Sequence, residues 1–262
     1  MIIYDLSRLP NDVREQILNS EKFTKWFSAK PSKLLSVGAD AKTVKGEKYR
    51  VLTGIQYLSA HRLSGLNVCA MADIAGCSEP CLKSAGRGAM NSTQMSRLRK
   101  TLFMQQYWEE YLAMLQKEVQ RFAYYCDARE YTPAIRLNGT SDIRWENKIW
   151  DYMVYTSHWF GVRWYDYTKE ANRIIPDPKI YDLTFSYSGK PQFRRFVDKA
   201  IAMGMRLAVV FRYQKDIPEV FEGRTVVDGD DSDLRFLEPR NVVSALYAKG
   251  KAVHDYSGFV VG

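Results

Sequence analysis

Residues 134–167, AIRLNGTSDIRWENKIWDYMVYTSHWFGVRWYDY, contain the pattern that decides the fold. The short run AIRLNG (134–139) is followed by apolar side chains at helical spacing over 147–159. A second run, VRWYDY (162–167), is rich in aromatic and β-branched residues. Strand, helix and strand in this order are typical of a parallel sheet, because parallel neighbours need a crossover connection. The stretch therefore predicts one β–α–β unit.

The same alternation continues on both sides of that stretch. It predicts a full or partial (β/α) TIM-like barrel, with a doubly wound open parallel sheet as the alternative. Either architecture places its sites at the carboxyl ends of the strands. Further strands are predicted over 50–58, 182–188, 206–212, 225–229 and 242–249, and further helices over 11–28, 91–125 and 191–204, with a short helix ending at Arg173.

The domain organisation follows from the absence of a linker. No segment rich in proline, glycine and serine divides the 262 residues, so the sequence predicts a single domain over 1–262. Residues 1–49 form an N-terminal helical and loop extension in this interpretation, with a loop over 34–46. Residues 50–250 form the barrel-like core, which carries a cysteine loop over 69–88.

Composition and charge narrow the class of protein. The 46% apolar and 26% charged residues are ordinary for a globular protein, and no apolar run approaches the ~20 residues that cross a membrane. The first residues lack a signal peptide pattern, so we expect a cytoplasmic protein without a membrane partner. The net charge of +8 and the basic stretch over 83–100 predict weak nucleic-acid binding.

Three cysteines stand out because they lie within thirteen residues. Cys69, Cys77 and Cys81 have the spacing C-x7-C-x3-C, between a predicted strand and a long predicted helix. In a reducing compartment, clustered thiols are typical of metal ligands rather than disulfides. Thiolates suit iron–sulfur clusters and zinc. The paired C-x2-C knuckles of structural zinc sites are missing, so we expect an iron–sulfur cluster, [4Fe–4S], with zinc as the alternative.

Cys126 is the fourth cysteine, either a fourth ligand or a buried thiol at a helix end. A straight helix of about 33 residues would carry it ~50 Å from the cysteine loop. In a barrel that helix also runs from the carboxyl ends of the strands back to their amino ends. We therefore expect Cys126 not to bind the metal, which leaves an open cluster iron for a small molecule.

Polar residues recur where successive predicted strands end. Such a recurrence is what a shared pocket at the strand ends requires. The alternative is that these side chains hydrogen-bond their own backbone, as short polar residues commonly do. The candidate pocket residues are Arg87, Asn138, Thr140, Ser141, Asp142, Asp166, Lys169 and Ser186.

Several of these motifs together resemble the gene product 88 family of phage and plasmid proteins. They are CAMADIAGCSEPCLKSAGRGAM, PAIRLNGTSDIRWE, VRWYDYTK, LTFSYS and VVDGDDSDLRFLEP, spread in order over roughly residues 50–250. The resemblance implies a mobile-element origin and a place in the cytoplasm of an infected bacterial host cell. It carries no particular activity with it.

A looser likeness is to radical S-adenosylmethionine enzymes. Those enzymes also place three cysteines on a loop after the first strand of a (β/α) barrel, and one iron of their [4Fe–4S] cluster stays open. The spacing here departs from their C-x3-C-x2-C pattern. The likeness therefore supports the cluster, but it does not extend to S-adenosylmethionine binding or to radical chemistry.

Three functions follow from these observations. The first is an iron–sulfur protein acting as a redox or radical-type enzyme, with its pocket at the strand carboxyl ends. The second is a nucleic-acid-associated phage protein with a structural cluster, whose basic 83–100 segment meets phosphates. The third is a zinc-stabilised interaction module.

Overall fold

The computed structural model describes residues 2–38, 44–78, 88 and 90–262. Within them the chain forms six α-helices and nine β-strands. The helices are α1 Asn11–Leu18, α2 Glu21–Phe27, α3 Asn91–Gln106, α4 Trp108–Asp127, α5 Glu146–Phe160 and α6 Arg194–Ala202. The strands are β1 Leu35–Val37, β2 Val51–Gln56, β3 Thr132–Arg136, β4 Arg163–Thr168, β5 Tyr181–Ser186, β6 Leu207–Phe211, β7 Val220–Phe221, β8 Arg224–Asp228 and β9 Val243–Tyr247.

All nine strands belong to one sheet in the order β1-β2-β3-β4-β5-β6-β9-β8-β7. Neighbours from β2 to β8 are parallel, whereas β1 and β7 are antiparallel edge strands. The predicted α/β fold with a parallel sheet is therefore confirmed. The order rises from β1 to β6 without the reversal of a doubly wound sheet. No pairing among the described residues joins β1 to β7, so the sheet is not a closed barrel.

The main apolar core lies between one face of the sheet and helices α3 to α6. Alternate residues of the parallel strands point into it, as the two-residue period of a strand requires. Its members include Ile135, Trp164, Leu183, Phe185, Leu207 and Val209 from strands, and Leu102, Leu115, Met153 and Val197 from helices.

The opposite face of the sheet is covered by the segment 232–238. Leu234 of this segment is buried against Val51, Ala134 and Tyr165, and the ring of Phe236 meets Tyr165 edge-on at 5.3 Å. Both faces of the central strands are thus shielded from water, which places their carboxyl ends in a buried setting.

The N-terminal residues share the main core. Strand β1 pairs with β2, and the carboxylate of Glu118 accepts hydrogen bonds from the backbone of Leu34 and Leu35, each at 2.8 Å. The loop predicted over 34–46 was therefore wrong at its start, since Leu35–Val37 is a strand. Residues 39–43 of that loop lie outside the described residues.

Three predicted helices differ from the structure. The helix predicted over 11–28 is two helices, because Ser20 ends the first run and its Oγ caps α2 by accepting from Phe23 N–H. The helix predicted over 91–125 breaks at Tyr107, whose φ of −135° and ψ of 59° are not helical. The short helix predicted up to Arg173 is instead a single turn at residues 171–172.

Candidate functional site

A buried carboxylate lies at the centre of the strand carboxyl edge. Asp166, near the end of β4, is 1% exposed, and its carboxylate accepts hydrogen bonds from the backbone N–H of Asn138 at 2.8 Å and of Leu137 at 3.3 Å. The hydroxyl of Tyr181 donates a third at 2.9 Å. Burial raises the pKa of Asp166 to about 7, against the opposing effect of the Arg136 guanidinium. The group can therefore hold or release a proton near neutral pH.

Arg173 connects Tyr181 with two further carboxylates. Its guanidinium binds both oxygens of Glu146, with Nε at 2.9 Å, and donates to Asp142 at 3.0 Å and to the Tyr181 hydroxyl at 3.3 Å. Burial raises the pKa of Asp142, although Arg173 opposes the shift. We call Asp142, Glu146, Asp166, Arg173 and Tyr181 the acid network. It joins three acids, one cation and one phenol in a single buried chain of contacts.

Arg136 links the acid network to the other face of the sheet. Its Nε lies 3.8 Å from Asp166 Oδ1, and its Nη1 donates to Asp233 at 2.8 Å. Asp233 also accepts from the hydroxyl of Tyr167 at 2.9 Å. The carboxyl edge therefore carries paired charge on both faces of the sheet.

The predicted pocket residues after β3 bind mainly their own loop. Asn138 Oδ1 accepts from Ser141 Oγ at 2.8 Å and from the backbone of Ile143 at 2.9 Å. The hydroxyl of Thr140 donates to the carbonyl of Leu58 at the end of the β2 region. Asn138 and Ser141 therefore follow the alternative in which side chains hydrogen-bond within their own loop. Asp142, in contrast, belongs to the acid network.

Lys169 and Ser186 are brought together from neighbouring strands. Lys169 Nζ donates to the Oγ and the carbonyl of Ser186, each at 3.0 Å, and to the carbonyl of Tyr187 at 3.3 Å. The backbone N–H of Lys169 donates to Asp142 at 2.8 Å. Asp142, Asp166, Lys169 and Ser186 thus lie along one edge, as the strand-end pattern predicts.

The cysteine loop lies over this same edge. Cys69 Sγ is 3.6 Å from the carbonyl oxygen of Thr140, and the backbone N–H of Asp142 donates to the carbonyl of Val68 at 2.8 Å. Further along, Ser188 Oγ donates to the carbonyl of Ala75 at 2.7 Å. The loop is therefore fastened to the segments that follow β3 and β5.

Within the loop the chain folds back on itself. Ala72 N–H donates to the carbonyl of Cys69, and Cys77 N–H donates to the carbonyl of Ala72, both at 3.1 Å. Gly76 makes the reversal with a φ of +70°, a conformation that other residues rarely adopt. Both thiols are partly exposed, so the loop presents soft donors at its surface.

Two predicted residues, Cys81 and Arg87, lie outside the described residues. Among the residues that are described, no group of three His, Cys, Asp or Glu side chains is arranged to hold a metal ion. The predicted set of three thiolates includes Cys81, so it stays a prediction.

Cys126 lies at the opposite edge of the sheet. It is fully buried near the end of α4, and its carbonyl accepts from the N–H of Tyr131, just before β3 begins. The expected position at the amino ends of the strands is confirmed, although the helix leading to it is broken at Tyr107. Burial raises the pKa of the Cys126 thiol to about 12.

The basic stretch predicted to meet phosphates is turned partly inward. Arg99 stacks on the ring of Trp26 at 4.3 Å and donates to its carbonyl at 2.6 Å. Lys100 donates to the carbonyl of Leu34 at 2.9 Å, and burial lowers its pKa to about 8. Both side chains are 8% exposed and anchor the N-terminal segment. Residues 83–87 and 89 of the stretch lie outside the described residues.

Sequence patterns did not indicate Tyr181 and Arg173 as members of the site. Tyr181 opens a strand, and its hydroxyl reaches Asp166 from the neighbouring strand. Arg173 follows a turn with no motif around it. One signal was present in the sequence: Asp142 and Glu146 are carboxylates only four residues apart, and carboxylates that are removed from water need a cation.

The fold and the site together define an α/β protein with a mostly parallel sheet, a buried acid network at the strand carboxyl edge and a cysteine loop above it. A model of the gene product 88 family matches residues 29–261, which is most of the chain. The chain therefore belongs to the gene product 88 family, and the match extends beyond the roughly 50–250 of the sequence resemblance. No curated protein and no solved structure matches the chain.

None of the helices formed by the described residues is both long enough and apolar enough to pass through a membrane.

Proposed function

We propose that the chain binds an iron–sulfur cluster, [4Fe–4S], through Cys69, Cys77 and Cys81. The observation that carries the proposal is the fastening of residues 69–78, the first part of the cysteine loop, to the carboxyl edge by the Cys69–Thr140 contact and the Ser188–Ala75 bond. Thiolates held together on a braced loop suit such a cluster, and zinc is the alternative metal.

The donor set fits this group. Cys69 and Cys77 are partly exposed and belong to one folded-back loop, and Cys81 follows four residues later. Cys126 lies at the amino edge, away from this loop, so we propose that it is not a ligand. A bound cluster would supply electron transfer and an open iron for a small molecule.

The acid network gives the site its second component. Asp166 can exchange a proton near neutral pH, and Arg173 holds Asp142 and Glu146 in place beneath the loop. We propose on this basis a redox or radical-type enzyme. We also propose that its sheet is a partial barrel, which the sequential order of the parallel strands from β2 to β6 supports. The family resemblance supports a role in the cytoplasm of an infected bacterial host cell.

The experiment is purification without oxygen, followed by visible absorption and by counts of iron, acid-labile sulfide and zinc. We expect a brown protein with iron and sulfide, and replacing Cys69, Cys77 or Cys81 with serine should remove most of the metal. A colourless protein with stoichiometric zinc would show the zinc alternative to be correct. A protein without either metal would contradict the proposed centre altogether.

A further inference from the structure

Three exposed tyrosines lie close to the carboxyl ends of β6 and β9, and a cation lies over the ring of each. Lys215 Nζ is 5.8 Å from the ring centroid of Tyr213, and Lys249 Nζ is 4.3 Å from that of Tyr247. The guanidinium carbon of Arg212 is 4.6 Å from the centroid of Tyr256, which is 83% exposed. We call these three tyrosines and their three cations the tyrosine surface.

Backbone pairing places these residues near the same end of the sheet. Tyr247 is the register partner of Phe211, the residue before Arg212, and Ala248 N–H donates to the carbonyl of Phe211 at 2.8 Å. The Arg212 guanidinium donates to the carbonyls of Val253 and Asp255, which fixes the chain that presents Tyr256. The backbone positions of Tyr247 and Tyr256 are therefore fixed by hydrogen bonds.

The charge of this surface is positive. Lys251 and His254 lie exposed in the same stretch, in addition to the three cations of the tyrosine surface. The carboxylates beside them are Asp216, which is exposed, Asp230, which binds Lys249 Nζ at 2.9 Å, and Asp255, which is buried and accepts from the backbone N–H of Ser257 and Val260. The whole chain carries a net charge of +8, so the surface lies in a field that attracts polyanions.

We propose that the tyrosine surface binds single-stranded nucleic acid. Exposed tyrosines offer stacking platforms for unpaired bases, while the exposed Lys215 and Lys251 near them meet the phosphates. Bases inside a duplex do not present their faces, so a single strand fits the rings better than a double helix does. The surface adjoins the cysteine loop, because Ser257 Oγ donates to the carbonyl of Gly76 at 3.2 Å. The inference does not depend on a metal in that loop.

The test is fluorescence anisotropy with a labelled oligothymidine of about 20 nucleotides, longer than the site of a typical single-strand binding fold. We expect Tyr213→Ala and Tyr256→Ala each to raise Kd at least about fivefold, and Tyr256→Phe to keep wild-type affinity because stacking is retained. Log Kd should rise with log salt, and Lys251→Gln should lower that slope by about 0.7.

A matched control comes from the opposite edge of the sheet. Tyr124 and Tyr155 pack edge-on against Phe160 at 5.4 and 5.8 Å, and the adjacent Trp159 is 74% exposed. Tyr124→Ala and Trp159→Ala should leave oligothymidine binding unchanged. Loss of binding in these variants, or none in the wild type at low salt, would overturn the proposal. So would a dimer in size-exclusion chromatography that Tyr256→Ala dissociates, because the surface would then bind a second copy.

Discussion

Asp166 makes the free energy of unfolding depend on pH. Its carboxylate is held by two backbone N–H groups and by Tyr181, yet burial is strong enough to raise its pKa to about 7. An unfolded aspartate titrates near pH 3.9. Between about pH 4 and pH 7 the folded chain therefore holds a proton that the unfolded chain has lost.

The first prediction is that this proton makes stability fall as pH rises. A folded state that binds one more proton than the unfolded state loses up to about 1.4 kcal/mol of unfolding free energy per pH unit. The loss begins near pH 4 and ends near pH 7. Asp166→Asn should flatten this slope in urea unfolding curves recorded over that range. The exposed carboxylate of Asp151 supplies the control, and an unchanged slope in Asp166→Asn would refute the assignment.

The second prediction concerns Arg173, whose side chain is fully buried against Glu146 and Asp142. Arg173→Leu leaves two carboxylates without their cation in a low-dielectric setting, which costs about 3–5 kcal/mol. Arg144→Leu is the matched control, because Arg144 binds Glu170 through two nitrogens but is 35% exposed. We expect that variant to lose about 1 kcal/mol or less in urea denaturation. Equal losses would mean that the acid network does not brace the edge.

At the scale of elements, the loop over the edge depends on Gly76. A β-carbon at this position would lie 2.5 Å from Lys190 Cδ and 2.9 Å from Ser257 Oγ, in addition to the strain of its positive φ. Gly161 has a similar φ of +65° but nothing within 4 Å, so it isolates the backbone strain.

The third prediction compares these two glycines. Gly161→Ala should cost about 1 kcal/mol of unfolding free energy, the usual effect of a β-carbon at positive φ. Gly76→Ala should cost more, and it should speed proteolysis within the cysteine loop, because Lys190 and Ser257 must move aside. Equal stability and equal cleavage in the two variants would show that the loop is not held closely there.

The elements that the sequence predicts well are those whose local pattern and burial agree. The alternation over 134–167 predicts the bounds of β3, α5 and β4 within three residues, because each has a buried face that sets its period. The break at Tyr107 has no proline or glycine to mark it, and a helical period continues across it. The inward turn of Arg99 and Lys100 depends on Trp26 and Leu34, which are distant in sequence.

The residues of the candidate site also divide into those that the sequence predicts and those that it does not. The order of strands alone predicts which residues share an edge, so the common edge of Asp142, Asp166, Lys169 and Ser186 could be predicted, whereas their role in a pocket stays a prediction. Tyr181 and Arg173 could not be, because their roles come from side chains that cross between neighbouring elements.

At the scale of the whole molecule, the sheet separates two chemically different edges. The carboxyl edge carries the acid network and the cysteine loop, whereas Cys126 is enclosed by α4 and the start of β3 at the amino edge. The three cysteines that the structure describes, Cys69, Cys77 and Cys126, therefore fall into two classes before any metal is considered.

The last prediction uses Cys126 as the matched control for the cysteine loop. It is fully buried at the amino edge, where burial raises the pKa of its thiol, so we expect it to take no part in metal binding. Cys126→Ala should keep the full iron and sulfide content and the visible spectrum of protein prepared without oxygen, while Cys69→Ser loses them. Alanine is chosen because a buried serine hydroxyl would lower the free energy of unfolding by about 1–3 kcal/mol. Metal lost through such destabilisation could be mistaken for the loss of a ligand. If Cys126→Ala loses the iron while its urea midpoint stays near that of the wild type, Cys126 is a ligand. Cys126 would then have to lie close to the cysteine loop. The proposal that one cluster iron is open to a small molecule would be wrong.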